Sequence, residues 1–188
     1  MSRLVAFGCS YTYGKDLADP ATQSWPAVLS KLLDLECDNQ AVLGAGNLEI
    51  LWNIINYKFQ PGDTVFIMWS HFSRDHIFEK DQLRRIRWDD DQLTKHWILT
   101  HSDYDVIIRN WLCIQHGDLF VKKFASVYHL LGGTYHEEIN SNPDCIKMDN
   151  LLEIEFINYD YAGKNKDHPG LKSHTMIAEK IYKCIQQG

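Results

Sequence analysis

The sequence predicts an α/β fold, a parallel sheet covered by helices on both faces, and three observations carry that expectation. Short apolar runs alternate with amphipathic segments in a β-α-β-α-β rhythm up to Trp69. The runs are continuously apolar rather than alternating, the mark of strands buried on both faces. The chain, 188 residues and 21.9 kDa, has the size of one domain and no internal repeat, low-complexity stretch or linker. Surface scaling gives a folded area of about 9,000 Å² against about 32,000 Å² unfolded, so a core can form without a metal or disulfide staple.

The elements follow in order. Leu4-Val5-Ala6-Phe7, closed by Gly8, reads as the first strand. Ser24 stands as an N-cap before Trp25-Pro26, and Trp25, Val28, Leu29, Leu32 and Leu33 recur at helical spacing. Cys37 to Val42 is a weaker strand, closed by Gly44-Ala45-Gly46, after which Leu48, Leu51, Trp52 and Ile55 repeat at three and four. The turn Pro61-Gly62-Asp63 leads into the clearest strand, Thr64 to Trp69. Residues 70–103, rich in charge and aromatics, break the rhythm and read as an insertion flanking a site. From Asp103 a long helical pattern runs through Tyr104, Ile108, Trp111, Phe120 and Phe124; Val127 to Leu131 fits its continuation or a fourth strand. Leu171, Ile177, Ile181 and Ile185 mark a final helix.

Composition narrows the function. With 19 Lys+Arg against 25 Asp+Glu the net charge is −6, which disfavours nucleic acid and anionic membranes as partners. No apolar run approaches the length of about 20 residues that spans a bilayer. Five scattered cysteines without a C-x-x-C pair argue against a disulfide framework or zinc ribbon and fit a reducing cytoplasm. His96, His101, Asp103 and Asp105 match no metal-binding spacing, so neither metal nor cofactor is expected.

The sharpest local feature is Phe7-Gly8-Cys9-Ser10-Tyr11-Thr12-Tyr13-Gly14, directly after the first strand. A serine there sits at the carboxyl edge of the sheet, where glycines permit a tight turn and amides can face an anion; a capped glycine-rich turn has the same pattern. The segment is neither a P-loop, because Gly14-Lys15 is followed by Asp16, nor a Gly-x-Ser-x-Gly elbow, because Thr12 replaces the second glycine. A nucleophilic serine needs a base and a group to orient that base. Among nine histidines, His168 stands apart in the polar loop Asn165-Lys166-Asp167-His168-Pro169-Gly170, just before the last helix.

These blocks together resemble the SGNH, or GDSL-type, hydrolases: Gly8-Cys9-Ser10-Tyr11-Thr12-Tyr13-Gly14, then Asn39-Gln40-Ala41-Val42-Leu43-Gly44, then Asp167-His168-Pro169. The resemblance implies a three-layer α/β/α sandwich with a flavodoxin-like parallel sheet, and ester hydrolysis without a cofactor. Carried over, Ser10 is the nucleophile, His168 the base, and the Ser10 and Gly44 amides donate to the oxyanion. Two positions depart from the pattern. Where the family carries Gly-x-Asn-Asp after the third strand, this chain has Trp69-Ser70-His71-Phe72, so Asn47, or else His71, is expected to supply the missing side-chain donor. Asn47 is equally placed to cap the second helix. The family's acid stands where this chain has Asn165, leaving Asp167 or Asn165 to orient His168.

Trp69, His71 and Arg74 are expected to line the substrate side. Arg74, Arg84, Arg85 and Arg87, near Trp88, form a basic cluster that would either hold a polar or anionic substrate or be balanced on the surface by Asp81 and Asp89 to Asp91. The expected activity is hydrolysis of a small acyl ester of a polar or carbohydrate alcohol. An acyltransferase using the same residues and a non-catalytic ligand-binding protein on the same scaffold are the rival readings.

Overall fold

The computed structural model describes residues 2–72, 74–80, 82–86, 92–132, 148, 150–152, 154 and 158–187. Four parallel strands form the central sheet: β1 (Arg3–Phe7), β2 (Glu36–Asn39), β3 (Thr64–Trp69) and β6 (Ser126–Leu131), in the order β2-β1-β3-β6. Beyond β6, His129 bridges Leu151 in parallel, with His129 N donating to Asn150 O and Leu152 N to His129 O, so the chain at 150–152 extends that edge. Val127 to Leu131 is therefore strand. The helical pattern from Asp103 breaks once α6 (Asp103–Val121), opened by a Ser102–Asp105 capping box, reaches its end.

Side chains alternate across the sheet and build one core on each face. Val5, Phe7, Val65, Ile67, Trp69 and Val127 pack with Ile50 and Ile54 of α4 (Asn47–Asn56) and with Trp111 and Ile114 of α6. Leu4, Ala6, Phe66, Met68 and Leu130 pack with Trp25 and Leu29 of α3 (Trp25–Leu33) and with Ile177, Ala178 and Ile181 of α7 (Leu171–Gln187). The three layers are thus α4 and α6, sheet, α3 and α7. Both faces being covered explains why the strands read as unbroken apolar runs.

Two helix readings are adjusted. Ser24 occupies the N-cap position of α3, but its hydroxyl makes no cap bond; a short helix α2 (Pro20–Gln23), capped by Asp19, precedes it. In α4 the buried positions are Asn47, Ile50 and Ile54, while Trp52 and Ile55 are about half exposed, so the core stripe lies rotated from the one the hydrophobic spacing suggests.

The segment after β3 opens with an antiparallel hairpin, β4 (His76–Glu79) and β5 (Gln82–Arg85), and continues to α5 (Gln92–Thr100). Asp81, Arg87, Trp88 and Asp89 to Asp91 lie outside the described residues. Among the described residues, no helix is long and apolar enough to cross a membrane.

Candidate active site

The site grows from the end of β1. A Cβ added to Gly8 would collide with Thr12 Oγ1 and come within 3.0 Å of the Met68 carbonyl oxygen, so only glycine lets the chain fold back here. One helical turn, α1 (Ser10–Tyr13), follows and stops at Gly14, whose φ of 82° permits the left-handed cap. Ser10 opens this turn and is 4% exposed. Cys9 joins the α4/α6 core with Phe7, as a small apolar side chain.

The chain leaving β2 runs on alongside β1. Gln40 N donates to Ala6 O, and Val42 N to Gly8 O at 3.0 Å. Asn39 Nδ2 donates to Thr12 O at 2.9 Å, which ties the second loop to α1. The loop then turns at Gly44, φ 73°. Among the described residues, neither the Ser10 amide nor the Gly44 amide donates to another backbone group.

His168 arrives from the opposite end of the sequence on a small antiparallel pair, β7 (Tyr161–Ala162) and β8 (His168–Pro169). Asp160 anchors that pair to α7: its carboxylate accepts from Lys172 N at 2.9 Å and from Ser173 N and Oγ at 2.7 Å each. Burial pushes the Asp160 carboxyl up, but the Ser173 hydroxyl and these two amides outweigh it and hold its pKa below the usual carboxylate range.

The carboxylate against His168 is Asp16, in place of the expected Asp167. Asp16 Oδ2 lies 2.9 Å from His168 Nδ1. The contact is a close approach of carboxylate to imidazole that does not meet hydrogen-bond geometry at Nδ1. Gly163, with φ 75°, lets the β7–β8 connection close onto Asp16; an added Cβ would stand 3.0 Å from Asp16 Cβ. Tyr11, beside Ser10, meets the His168 ring edge-on at 6.0 Å. Asp167 and Asn165 are both exposed. Neighbouring side chains along an extended segment diverge, which turns Asp167 away when His168 faces α1.

Three further expectations change. Asn47 is fully buried and its carboxamide is engaged on every side: Nδ2 donates to Ser70 O at 3.0 Å and Asn110 Oδ1 at 2.6 Å, and Oδ1 accepts from Ser70 N at 2.6 Å. Both N–H bonds are thereby taken by the protein, and Asn47 clamps the end of β3 to α4 and α6. Gly46, not Asn47, occupies the helix N-cap. Trp69 is 0% exposed, with its indole N–H donated to His129 Nδ1 at 3.1 Å and its ring against Gly117, so it belongs to the core and not to the substrate side. Of the other two residues assigned to the substrate side, His71 is half-buried and its carbonyl accepts from Arg74 N. Arg74 Nη1 reaches Ser70 Oγ at 3.4 Å.

The basic cluster resolves at Arg85. Its Nε and Nη2 face Glu49 of α4 at 3.3 to 3.5 Å, and Glu49 Oε2 also meets His76 Nε2 at 2.9 Å. A cavity of about 160 Å³ lies apart from Ser10 and His168, lined by Leu48, Asp75, Arg109, Asn110, Leu112 and Cys113.

With this geometry in view, comparison with known proteins speaks to the fold. Neither a family model nor a curated protein sequence matches the chain. Solved structures do. A lipolytic protein of the G-D-S-L family from Veillonella parvula superposes with a TM-score of 0.58 at 13% identity, covering 97% of each chain. A carbohydrate esterase family 2 enzyme from Corynascus thermopiles (Myceliophthora fergusii) gives 0.64 at 13% identity, over 98% of this chain and 65% of that one. An acetyl xylan esterase from Butyrivibrio proteoclasticus gives 0.62 at 16% identity, over 99% and 63%. The chain therefore spans just under two thirds of these two carbohydrate esterases and nearly all of the GDSL-type protein. The fold is the SGNH hydrolase fold.

Proposed function

We propose that the protein is a serine ester hydrolase in which Ser10 is the nucleophile, His168 the general base and Asp16 the carboxylate that orients it. The observation that carries this reading is the Asp16–His168 pair at 2.9 Å, set against the α1 turn that presents Ser10. His168 Nε2 accepts the Ser10 Oγ proton as Oγ bonds to the ester carbonyl carbon, and the carbonyl π electrons move to oxygen. The Ser10 and Gly44 amides donate to that oxyanion. Collapse expels the alcohol, which takes the proton from His168, and water repeats the sequence on the acyl-enzyme.

The carbohydrate esterases among the similar structures favour a small acyl group on a polar or carbohydrate alcohol. Labelling with a serine-reactive fluorophosphonate should be stoichiometric in the intact protein and absent in Ser10→Ala, which should also lose hydrolysis of p-nitrophenyl acetate. Hydrolysis that survives Ser10→Ala undiminished would overturn the reading.

A further inference from the structure

The Asn of the family pattern is absent after β3, where this chain has Ser70-His71-Phe72, and Asn47 has no N–H left to give. From the geometry beside Gly44 we propose that Arg85 Nη1 completes the oxyanion hole. This inference rests on the serine-hydrolase reading above and assigns a catalytic residue that the sequence blocks do not contain.

A Cβ added to Gly44 would lie 2.8 Å from Arg85 Nη1 but 3.8 Å from Nε, so the guanidinium presents its Nη1 end to the glycine. The opposite edge is occupied: Nε and Nη2 both face Glu49. Among the described residues, Nη1 has no protein partner. The planar fork is thus divided, one edge held by a carboxylate and the remaining nitrogen directed at the loop that carries the second oxyanion amide.

The hairpin holds this position through more than one contact. His76 and Arg85 are cross-strand partners in β4–β5, and Glu49 grips both. Burial pushes the Glu49 carboxyl up, but His76 and Arg85 outweigh it and keep the carboxylate ionised, with its pKa below the usual range. At Gly46 an added Cβ would collide with the Arg74 carbonyl oxygen and come within 2.8 Å of His76 Nδ1. The base of the hairpin therefore rests directly on the Gly44-to-Gly46 turn. A guanidinium stays protonated throughout the working pH range, so Nη1 donates to the developing negative charge without a titration of its own.

The test uses the full chain with neutral p-nitrophenyl acetate and anionic p-nitrophenyl hydrogen succinate. Arg85→Gln should lower kcat about 100-fold to 1,000-fold on both esters, with KM within about threefold, as loss of an oxyanion donor does. Fluorophosphonate labelling should still reach full stoichiometry, more slowly. Arg85→Lys retains the charge beside Glu49, but a single ammonium cannot hold Glu49 and reach Gly44 together, so its kcat should fall at least about tenfold. This variant decides the matter if Arg85→Gln does not fold. Lys80→Gln, the same charge change at the exposed hairpin tip, should leave both constants unchanged.

Arginine variants with kcat within threefold of the parent, or with a loss confined to KM for the succinate ester, would overturn the proposal; the latter would make Arg85 a binder of substrate anions. If Ser10→Ala itself retains full hydrolysis, the hydrolase reading has failed and the proposal falls with it. If Ser10→Ala is dead while the Arg85 variants are normal, only the proposal has failed.

Discussion

Replacing Asp16 by asparagine removes the charge that faces His168 while nearly preserving shape. In the proposed mechanism His168 becomes an imidazolium as Ser10 is deprotonated, and the carboxylate would then stabilise a charge that the ground state lacks. Across the observed 2.9 Å, Coulomb's law gives about 1.4 kcal/mol at the dielectric of water and about 6 kcal/mol at an effective value of 20. The Asp16 side chain is 35% exposed, and solvent screening brings the interaction toward the lower bound, about 1.4 to 2.7 kcal/mol. Each 1.36 kcal/mol is tenfold in rate, so Asp16→Asn should lower kcat by about 10- to 100-fold. Steady-state hydrolysis of p-nitrophenyl acetate measures this, with Asp167→Asn, an exposed position, expected to keep the parent kcat. A normal Asp16→Asn enzyme beside a crippled Asp167→Asn enzyme would refute the assignment.

Asn47→Ala should leave the Ser70 amide, the Ser70 carbonyl and the Asn110 side chain short of buried partners, at about 1 to 3 kcal/mol for each group left unsatisfied. Urea unfolding should therefore show a loss of about 3 kcal/mol or more, beyond the range of about 0.5 to 2 kcal/mol for a lost helix cap, with kcat of the folded fraction retained. Stability should also fall in acid. Burial holds His129 neutral, with its pKa lowered to about 4 despite the opposing pull of Asp118, and burial lowers His174 to about 4 as well. The unfolded chain takes up these protons near pH 6.5, so stability is fully present above that pH and is lost as pH falls toward 4, by on the order of 3 kcal/mol for each histidine. Denaturant midpoints measured from pH 7 to pH 4 should fall throughout that window, and a flat profile would contradict the buried neutral state.

The central fold was legible in the sequence because its signals are local. Continuous apolar runs reported strands with two covered faces, and Leu4 and Val5 do enter opposite cores. The glycines around Ser10 reported a turn, since Gly8 and Gly14 answer to sterics within a few residues of themselves. Helical spacing placed α4 but did not fully select its face: Leu48 and Leu51 pack against the core as the spacing suggests, while Asn47, Ile50 and Ile54 are the buried positions, a choice that depends on what packs against the helix.

The partners of the site were decided by the tertiary structure alone. Asp16 and His168 lie at opposite ends of the chain and meet only because α1 and the β7–β8 pair converge at one edge of the sheet. Arg85 reads from sequence as one of four arginines in a cluster that would either hold a polar or anionic substrate or be balanced on the surface, and becomes distinct once Glu49 grips it beside Gly44. Local pattern encodes the period and the turn, through sterics and hydrophobic spacing. Which charges come within 3 Å is set by how the finished layers close on one another, and that no short window of the sequence contains.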